Sequence, residues 1–115
     1  MIRLELPWPP SMNRYWRHYQ GRTLISRAGR QYKKDVSEIV MLSGAARNLD
    51  GRLKVEIVAY PPDKRPRDID NLLKAILDAL EKAGVFINDN RIDDLCIRRG
   101  EVEQGGRIIV TIEEV

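Results

Sequence analysis

The residues between positions 70 and 83 form the pattern that most restricts the fold of this chain. The apolar side chains in this segment recur at the spacing of one helical face and comprise Leu72, Leu73, Ile76, Leu77 and Leu80. Gly84 follows, where a glycine often ends a helix in the left-handed conformation. The pattern therefore predicts an amphipathic helix that must bury its apolar face against a second layer.

Strand signals stand on both sides of this helix. Alternation of apolar with polar residues predicts strands over 2–6 and 52–60, and each is followed by prolines. Ser26 is the expected N-cap of a helix over 27–46 with Tyr32, Val36, Ile39, Val40 and Ser43 on one face, and residues 15–21 are expected to form a loop. The last two strands, 92–102 and 107–114, are expected to form a hairpin through Gln104, Gly105 and Gly106.

The order of these elements is β-α-β-α-β-β. It predicts an α/β (α+β) fold, in which two helices pack on a mixed β-sheet. The length of 115 residues fits one domain over 1–115.

The distribution of charge is more informative than the net charge of +3. Residues 1–34 contain eight lysines or arginines and a single acid, Glu5, whereas acids outnumber bases in the remainder. A basic region attracts nucleic acid through its phosphates, but carboxylates facing the same ligand would repel it unless a divalent metal intervenes. The chain is therefore expected to perform metal-dependent chemistry on phosphates.

Several classes of protein are excluded by composition. One cysteine and one histidine do not suffice for a zinc site of thiolates and imidazoles, so any metal must be held mainly by carboxylates. The apolar runs are shorter than the roughly 20 residues of a membrane helix, and the first residues lack the apolar core of a signal peptide. We expect a cytoplasmic protein with no membrane contact and no organic cofactor.

Three aspartates and a lysine are the candidate catalytic group. Asp68 and Asp70 stand two residues apart at the start of the helix, Lys74 lies one turn after Asp70, and Asp89 follows the helix. Mg²⁺ prefers oxygen ligands and commonly takes one or two carboxylates, so these acids are candidate ligands, with Lys74 as a stabiliser of developing charge. The same residues are equally typical of a helix cap and a surface ion pair, and the spacing alone leaves both interpretations open.

The whole chain resembles a known family of nucleases. The segments LPWPPSMNRYWRH, RPRDIDNLLKAILDALEKAGVFINDNRIDD and GGRIIVTIEE, in that order, are similar to the RusA family of Holliday junction resolvases. The resemblance implies a small homodimeric Mg²⁺-dependent endonuclease, often of phage or prophage origin, that nicks DNA four-way junctions symmetrically.

By position, the resemblance assigns the metal-binding acids and the catalytic lysine to the four residues already singled out, Asp68, Asp70, Asp89 and Lys74. It also implies that two segments contact DNA. These are the N-terminal segment, at Asn13, Arg14 and Arg17, and the basic loop of residues 63–67, at Lys64, Arg65 and Arg67. Two residues depart from the family pattern: Asn88 stands where relatives often have a second acid, and Met12 replaces a polar residue.

A dimer is expected on physical grounds as well, because two matching cuts in a two-fold symmetric junction require two sites and one chain offers one. The first strand and the prolines after it are the candidate dimer surface. The alternative function is a non-catalytic basic nucleic-acid-binding module whose acids serve as caps and ion pairs. A small-molecule phosphohydrolase is least favoured, because the chain has no recognisable phosphate-binding glycine loop.

Overall fold

A computed structural model of the chain describes residues 1–11 and 16–115, with the backbone alone at 16–19 and 23. Six strands and two helices are defined: β1 (Ile2–Leu6), β2 (Trp16–Tyr19), β3 (Arg22–Ile25), α1 (Arg27–Ser43), β4 (Leu53–Tyr60), α2 (Asp70–Lys82), β5 (Ile92–Arg99) and β6 (Arg107–Glu114). A short 3₁₀ helix, Asp89–Arg91, precedes β5.

Four of the strands form a mixed sheet in the order β1-β6-β4-β5. β4 and β5 are parallel and joined by α2, whereas β6 is antiparallel to both β1 and β4. Alternate residues of β1, β4 and β6 are buried, so both helices cover one face of the sheet. The predicted mixed sheet with two helices is confirmed.

The predicted hairpin of the last two strands is wrong. β6 lies between β1 and β4, and β5 pairs with β4 at the edge of the sheet. The burial of the strands explains this order, because Ile108, Val110 and Ile112 of β6 are buried, whereas most of β5 is exposed or half-buried. The largely exposed β5 therefore lies at an edge of the sheet, where one side of the strand has no neighbour to cover it.

The loop predicted over 15–21 is also wrong in part. Residues Trp16–Tyr19 and Arg22–Ile25 pair as an antiparallel hairpin, apart from the main sheet. Gln20 and Gly21 between them have φ angles of 49° and 75°. Two successive residues with positive φ are the requirement of the tight type I′ turn, for which Asn-Gly is the usual sequence signal. Gln-Gly lacks the asparagine of that signal.

The two helices begin close to their expected positions. The Ser26 hydroxyl accepts a hydrogen bond from the Gly29 amide at 3.1 Å, which confirms the predicted cap of α1. This helix ends at Ser43, three residues earlier than predicted, because Gly44 adopts the left-handed conformation with φ 72°. Ser43 is exposed and does not belong to the buried face.

The core lies between the helices and the covered face of the sheet. On α2 the buried residues are Leu72, Ala75, Ile76, Ala79 and Leu80, while Leu73 and Leu77 are only partly buried against them. The Tyr32 hydroxyl of α1 donates to the Pro7 carbonyl at 3.0 Å and so joins this helix to the end of β1. No helix within 1–11 and 16–115 is long and apolar enough to cross a membrane.

Replacement of a core leucine should destabilise the fold, whereas replacement of an exposed one should not. Leu80→Ala removes a side chain that is 0% exposed on α2, and we expect it to lower the free energy of unfolding by about 2–5 kcal/mol. Leu42→Ala, at a position that is 88% exposed near the end of α1, should change it by less than about 0.5 kcal/mol. Urea unfolding of both variants measures the difference, and equal effects would contradict the assigned core.

Candidate functional site

The candidate site lies where β4 and β5 end. Because these strands are parallel, they end on the same side of the sheet. The loop that follows β4 and the segment that follows β5 therefore lie next to each other. The Arg99 guanidinium at the end of β5 donates a hydrogen bond to the Arg67 carbonyl at 2.5 Å, which joins the two segments. Crevices beyond the carboxyl ends of parallel strands are common ligand sites in sheets of this kind.

Asp68 and Asp70 are both exposed at the start of α2. Asp70 is the first residue of the helix and Asp68 immediately precedes its N-cap, Ile69. Within the described part of the chain, no hydrogen bond or ion pair of either carboxylate group is found. Their oxygens are accessible to a cation from solvent.

The structure tests the interpretation in which Asp68 or Asp70 caps the start of α2. The N-cap residue of α2 is Ile69, and no side chain forms the capping hydrogen bond. Asp70 still lies in the first turn, where a negative charge interacts favourably with the helix dipole. That interaction involves Asp70 alone, so it gives Asp68 no structural role.

Lys74 is exposed on α2, one helical turn after Asp70. Residues four apart lie on the same side of a helix, so its ammonium group is on the side of Asp70. This placement matches the position expected for a cation beside the carboxylates.

Asp63 organises the basic loop that leads to these carboxylates. Its two oxygens accept hydrogen bonds from the Arg65 side chain at 3.0 Å and from the Arg67 side chain at 2.7 Å. The backbone amide of Arg65 donates to the same carboxylate at 3.0 Å. These donors, Arg67 foremost, hold the pKa of Asp63 well below its usual range. Asp63 was not identified from the sequence, where it resembles any polar loop residue.

Arg67 has a structural role besides any contact with DNA. Its guanidinium lies over the Trp8 ring, 5.7 Å from the ring centroid, and also donates to the Arg65 carbonyl at 3.2 Å. Its side chain is only 23% exposed. Arg67 therefore joins the basic loop to the segment after β1, where Trp8 packs partly against the core.

A cleft of about 360 Å³ opens beside Asp68. Its lining combines apolar side chains with cations, and includes Trp8, Pro61, Leu72, Lys64, Arg67 and Arg99. The cleft is large enough for a small ligand or part of a DNA strand. Arg99 was not identified from the sequence, because only the parallel pairing of β5 brings it to this edge.

The structure describes only some of the residues that are predicted to contact DNA. Arg65 is 79% exposed and Lys64 is exposed beside it, so both can reach a phosphate. Asn13 and Arg14 lie outside the described residues. Arg17 lies on β2, and its side chain is likewise outside the description.

Asp89 lies at the other end of α2. It begins the 3₁₀ helix, and its backbone amide donates to the Glu81 carboxylate at 2.9 Å. Glu81 is in the last turn of α2, whereas Asp70 begins the helix, and the rise between these two residues is about 16 Å. The Asn88 side chain caps this turn by accepting from the Asn90 amide at 2.9 Å.

One chain does not gather the predicted metal ligands. Among residues 1–11 and 16–115, no three acidic, histidine or cysteine side chains lie close enough together to hold a metal ion. Asp68 and Asp70 form one pair, and Asp89 is separated from them by the length of α2.

Removal of the Asp63 charge should loosen the basic loop. We expect Asp63→Asn to increase trypsin cleavage after Lys64 and Arg67, because the amide cannot hold both guanidinium groups.

The wild-type loop should also resist acid. The lowered pKa keeps Asp63 ionised as pH falls through the range where ordinary aspartates protonate, so the backbone amides of the loop should stay protected from hydrogen exchange at about pH 4. Exchange of backbone amides measures this protection.

Glu5→Gln is the matched control, because it removes an acid that pairs with Arg3 and Arg107 away from this loop. Equal cleavage of the two variants would show that Asp63 does not hold the loop.

The chain is similar to known proteins over nearly its whole length. The family model for endodeoxyribonuclease RusA matches residues 7–113. The proteins named crossover junction endodeoxyribonuclease RusA in Enterobacteria phage 82, Shigella sonnei strain Ss046 and Escherichia coli K12 are 44%, 43% and 42% identical to this chain. Each alignment spans 112 residues, 97% of this chain and 93% of the relative. The chain therefore belongs to the RusA family of endodeoxyribonucleases.

Proposed function

We propose that this chain resolves Holliday junctions in the cytoplasm, as a homodimeric Mg²⁺-dependent endonuclease of DNA recombination and repair. The observation that carries the proposal is the exposed pair Asp68 and Asp70, which directly follows the cationic loop, with Asp68 lining the same cleft as that loop. The names of the relatives supply the substrate, a crossover junction in DNA.

The carboxylate pair fits a magnesium ion. Mg²⁺ usually takes one or two protein carboxylates and completes its octahedron with water and phosphate oxygens. Asp68 and Asp70 offer two exposed carboxylates, and neither has a hydrogen bond or ion pair among the described residues. When bound, the ion would polarise the scissile phosphate and make an attacking water more acidic.

The cations of the chain have separate tasks in this proposal. Lys64 and Arg65 contact phosphates and hold the strand, since both are exposed at the cleft. Lys74 places a positive charge beside Asp70, where it stabilises the charge that develops as the phosphodiester bond breaks. Arg67 positions the loop and offers its remaining guanidinium face to the DNA.

The position of Asp89 supports a dimer. This carboxylate is held at the far end of α2 and does not complete the pair in its own chain. A second copy related by a two-fold axis offers its own Asp89 to this pair and receives the same contribution in return. The dimer then contains two equivalent sites, as two symmetric cuts require.

Replacement of Asp70 should separate binding from cleavage. We expect Asp70→Asn to bind a four-way junction as well as the wild type, or more tightly, because one repelling charge is removed. Cleavage should fall by at least about a hundredfold because a metal ligand is lost. A denaturing gel of a labelled mobile junction, with Mg²⁺ and with EDTA, measures cleavage, and a native gel measures binding.

Asp35→Asn on α1 is the control, because it makes the same chemical change away from the site. Cleavage of the junction that survives EDTA would contradict the metal requirement. A junction that is bound but never cut, with salt-sensitive affinity and no effect of metal, would favour the non-catalytic binding module.

Two inactive variants should restore one site when they are mixed. In a dimer of Asp70→Asn with Asp89→Asn, both substitutions fall in one shared site and the other site is intact. The mixed dimer should therefore nick one strand of the junction, whereas each variant alone cuts neither. Co-expression with two different affinity tags and sequential purification supplies the mixed dimer for the assay.

Absence of nicking by the mixed dimer would place Asp89 in the site of its own chain. The matched control is a mixed dimer of Asp68→Asn with Asp70→Asn. These substitutions lie in the same half of the site, so each site carries one and neither is restored.

A further inference from the structure

Asp68 stands where the basic loop meets a helix that has no side-chain cap. The N-cap residue of α2 is Ile69, and no side chain forms a capping hydrogen bond there. Such a bond commonly fixes the start of a helix and contributes about 1 kcal/mol to its stability. The orientation of the backbone at Asp68, from which the carboxylate extends, therefore depends on other hydrogen bonds.

Two hydrogen bonds hold the peptide groups on either side of Asp68. The Asn71 amide donates to the Asp68 carbonyl at 3.3 Å, which is a contact within the start of α2. The Arg99 guanidinium donates to the Arg67 carbonyl at 2.5 Å. This second carbonyl belongs to the peptide group that joins Arg67 to Asp68. Arg99 thus connects the backbone at Asp68 to β5, a distant part of the chain.

We propose that Arg99 is a positioning residue, which holds the Asp68 carboxylate in the orientation that a divalent metal ion requires. The inference rests on the proposed function, in which Asp68 and Asp70 bind Mg²⁺. This ion demands near-ideal octahedral geometry, so the orientation of each ligand matters. Arg99 acts through the backbone of the loop and does not bind the metal itself, because a guanidinium has no acceptor atom.

β5 presents the Arg99 side chain from a well-supported position. Arg99 pairs with Ala59 of β4, and the next amide, that of Gly100, donates to the Ala59 carbonyl at 2.8 Å. A Cβ atom at Gly100 would lie 2.6 Å from the Tyr60 ring, so the end of β5 packs closely against β4. Ile97, two residues before Arg99 and therefore on the same face, packs against the core. Arg99 thus lies on the face that the helices cover, at the end where α2 begins.

The charge of Arg99 and its positioning role predict opposite effects on metal binding. Arg99 is exposed and has no ion pair within the described part of the chain. A cation near a metal site repels the ion, so removal of its charge alone should strengthen metal binding. Loss of a group that orients Asp68 should instead weaken metal binding, even though a repelling charge is removed. The direction of the change therefore distinguishes the two roles.

Arg98 provides a matched control. It is the preceding residue of β5 and is likewise exposed, but it faces the side of the sheet that the helices leave open. Arg98→Met and Arg99→Met remove the same charge from adjacent positions, and only Arg99→Met removes the hydrogen bond to the Arg67 carbonyl. Arg99→Lys keeps both a positive charge and a donor, so it tests whether a second donor can replace the guanidinium.

A Mg²⁺ titration without DNA measures metal binding directly, through the amide signals of Asp68 and Asp70 in NMR spectra. We expect Arg99→Met to raise the apparent dissociation constant of Mg²⁺ about tenfold or more, as replacement of groups that orient metal ligands commonly does. Arg98→Met should leave this constant unchanged or lower it slightly. Arg99→Lys should lie between the wild type and Arg99→Met. The Mg²⁺ concentration for half-maximal cleavage of a four-way junction should follow the same order.

Hydrogen exchange of the metal-free protein tests the contact itself. The amides of Asn71 and Leu72 donate to the carbonyls of Asp68 and Ile69 at the uncapped start of α2. We expect both amides to exchange faster in Arg99→Met than in the wild type, and Arg98→Met to leave their exchange unchanged.

Several outcomes would overturn the proposal. These are an unchanged or stronger Mg²⁺ affinity of Arg99→Met, an equal loss in Arg98→Met, and exchange at Asn71 and Leu72 that does not increase. Weaker junction binding by Arg99→Met in a native gel, with an unchanged Mg²⁺ requirement, would also overturn it and would make Arg99 a direct contact of DNA phosphates.

The wild-type protein separates these outcomes from those of the proposed function. A wild-type protein that neither binds Mg²⁺ nor cuts the junction would contradict the proposed function and this inference with it. A wild-type protein that does both, together with an Arg99→Met variant of unchanged Mg²⁺ affinity, would contradict the inference alone.

Discussion

The parallel pairing of β4 with β5 is the constraint on which the candidate site depends. Parallel neighbours require a crossover between them, and α2 supplies it on the covered face of the sheet. The crossover places both strand ends at one edge, where Arg99 contacts the loop that bears Asp68. The same crossover returns the chain to the opposite ends of these strands, where Asp89 precedes the start of β5. One topological feature thus brings two parts of the site together and separates the third.

The exposed carboxylates need a firm support, and the basic loop provides it. A loop that contains Lys64, Arg65 and Arg67 would repel itself and remain open if its charges had no partner. Asp63 offsets this repulsion, and the Trp8 ring holds Arg67 from the other side. Arg65 is also bonded to Asp63, but its side chain is 79% exposed, and Lys64 is exposed beside it. In the proposed function, cations that hold the loop and cations that contact phosphates are therefore interleaved in a single short segment.

Local patterns in the sequence were sufficient to predict both helices and most of the strands. They were insufficient to predict the order of the strands in the sheet. The stripe on α2, the Ser26 cap and the alternation in β1 and β4 each reflect interactions within a few residues, and the structure agrees with them. The order of the strands depends on the relative burial of segments that are far apart in the sequence. The predicted hairpin of β5 with β6 considered only neighbouring residues, and it was wrong. The same holds for the site. Asp68, Asp70 and Lys74 are close in sequence and were found together, whereas the roles of Asp63 and Arg99 follow from contacts that only the tertiary structure forms.

The location of Asp89 connects dimerisation with cleavage in the proposed function. Asp89 is held beside the last turn of α2, whereas Asp70 begins this helix, so the described residues of one chain present two separate sets of carboxylates. In the proposed dimer the missing carboxylate comes from the second copy, so a monomer that binds DNA through its basic loop would have an incomplete site. Such an enzyme would cut only as a dimer, and a dimer is also what two symmetric cuts in a two-fold junction require.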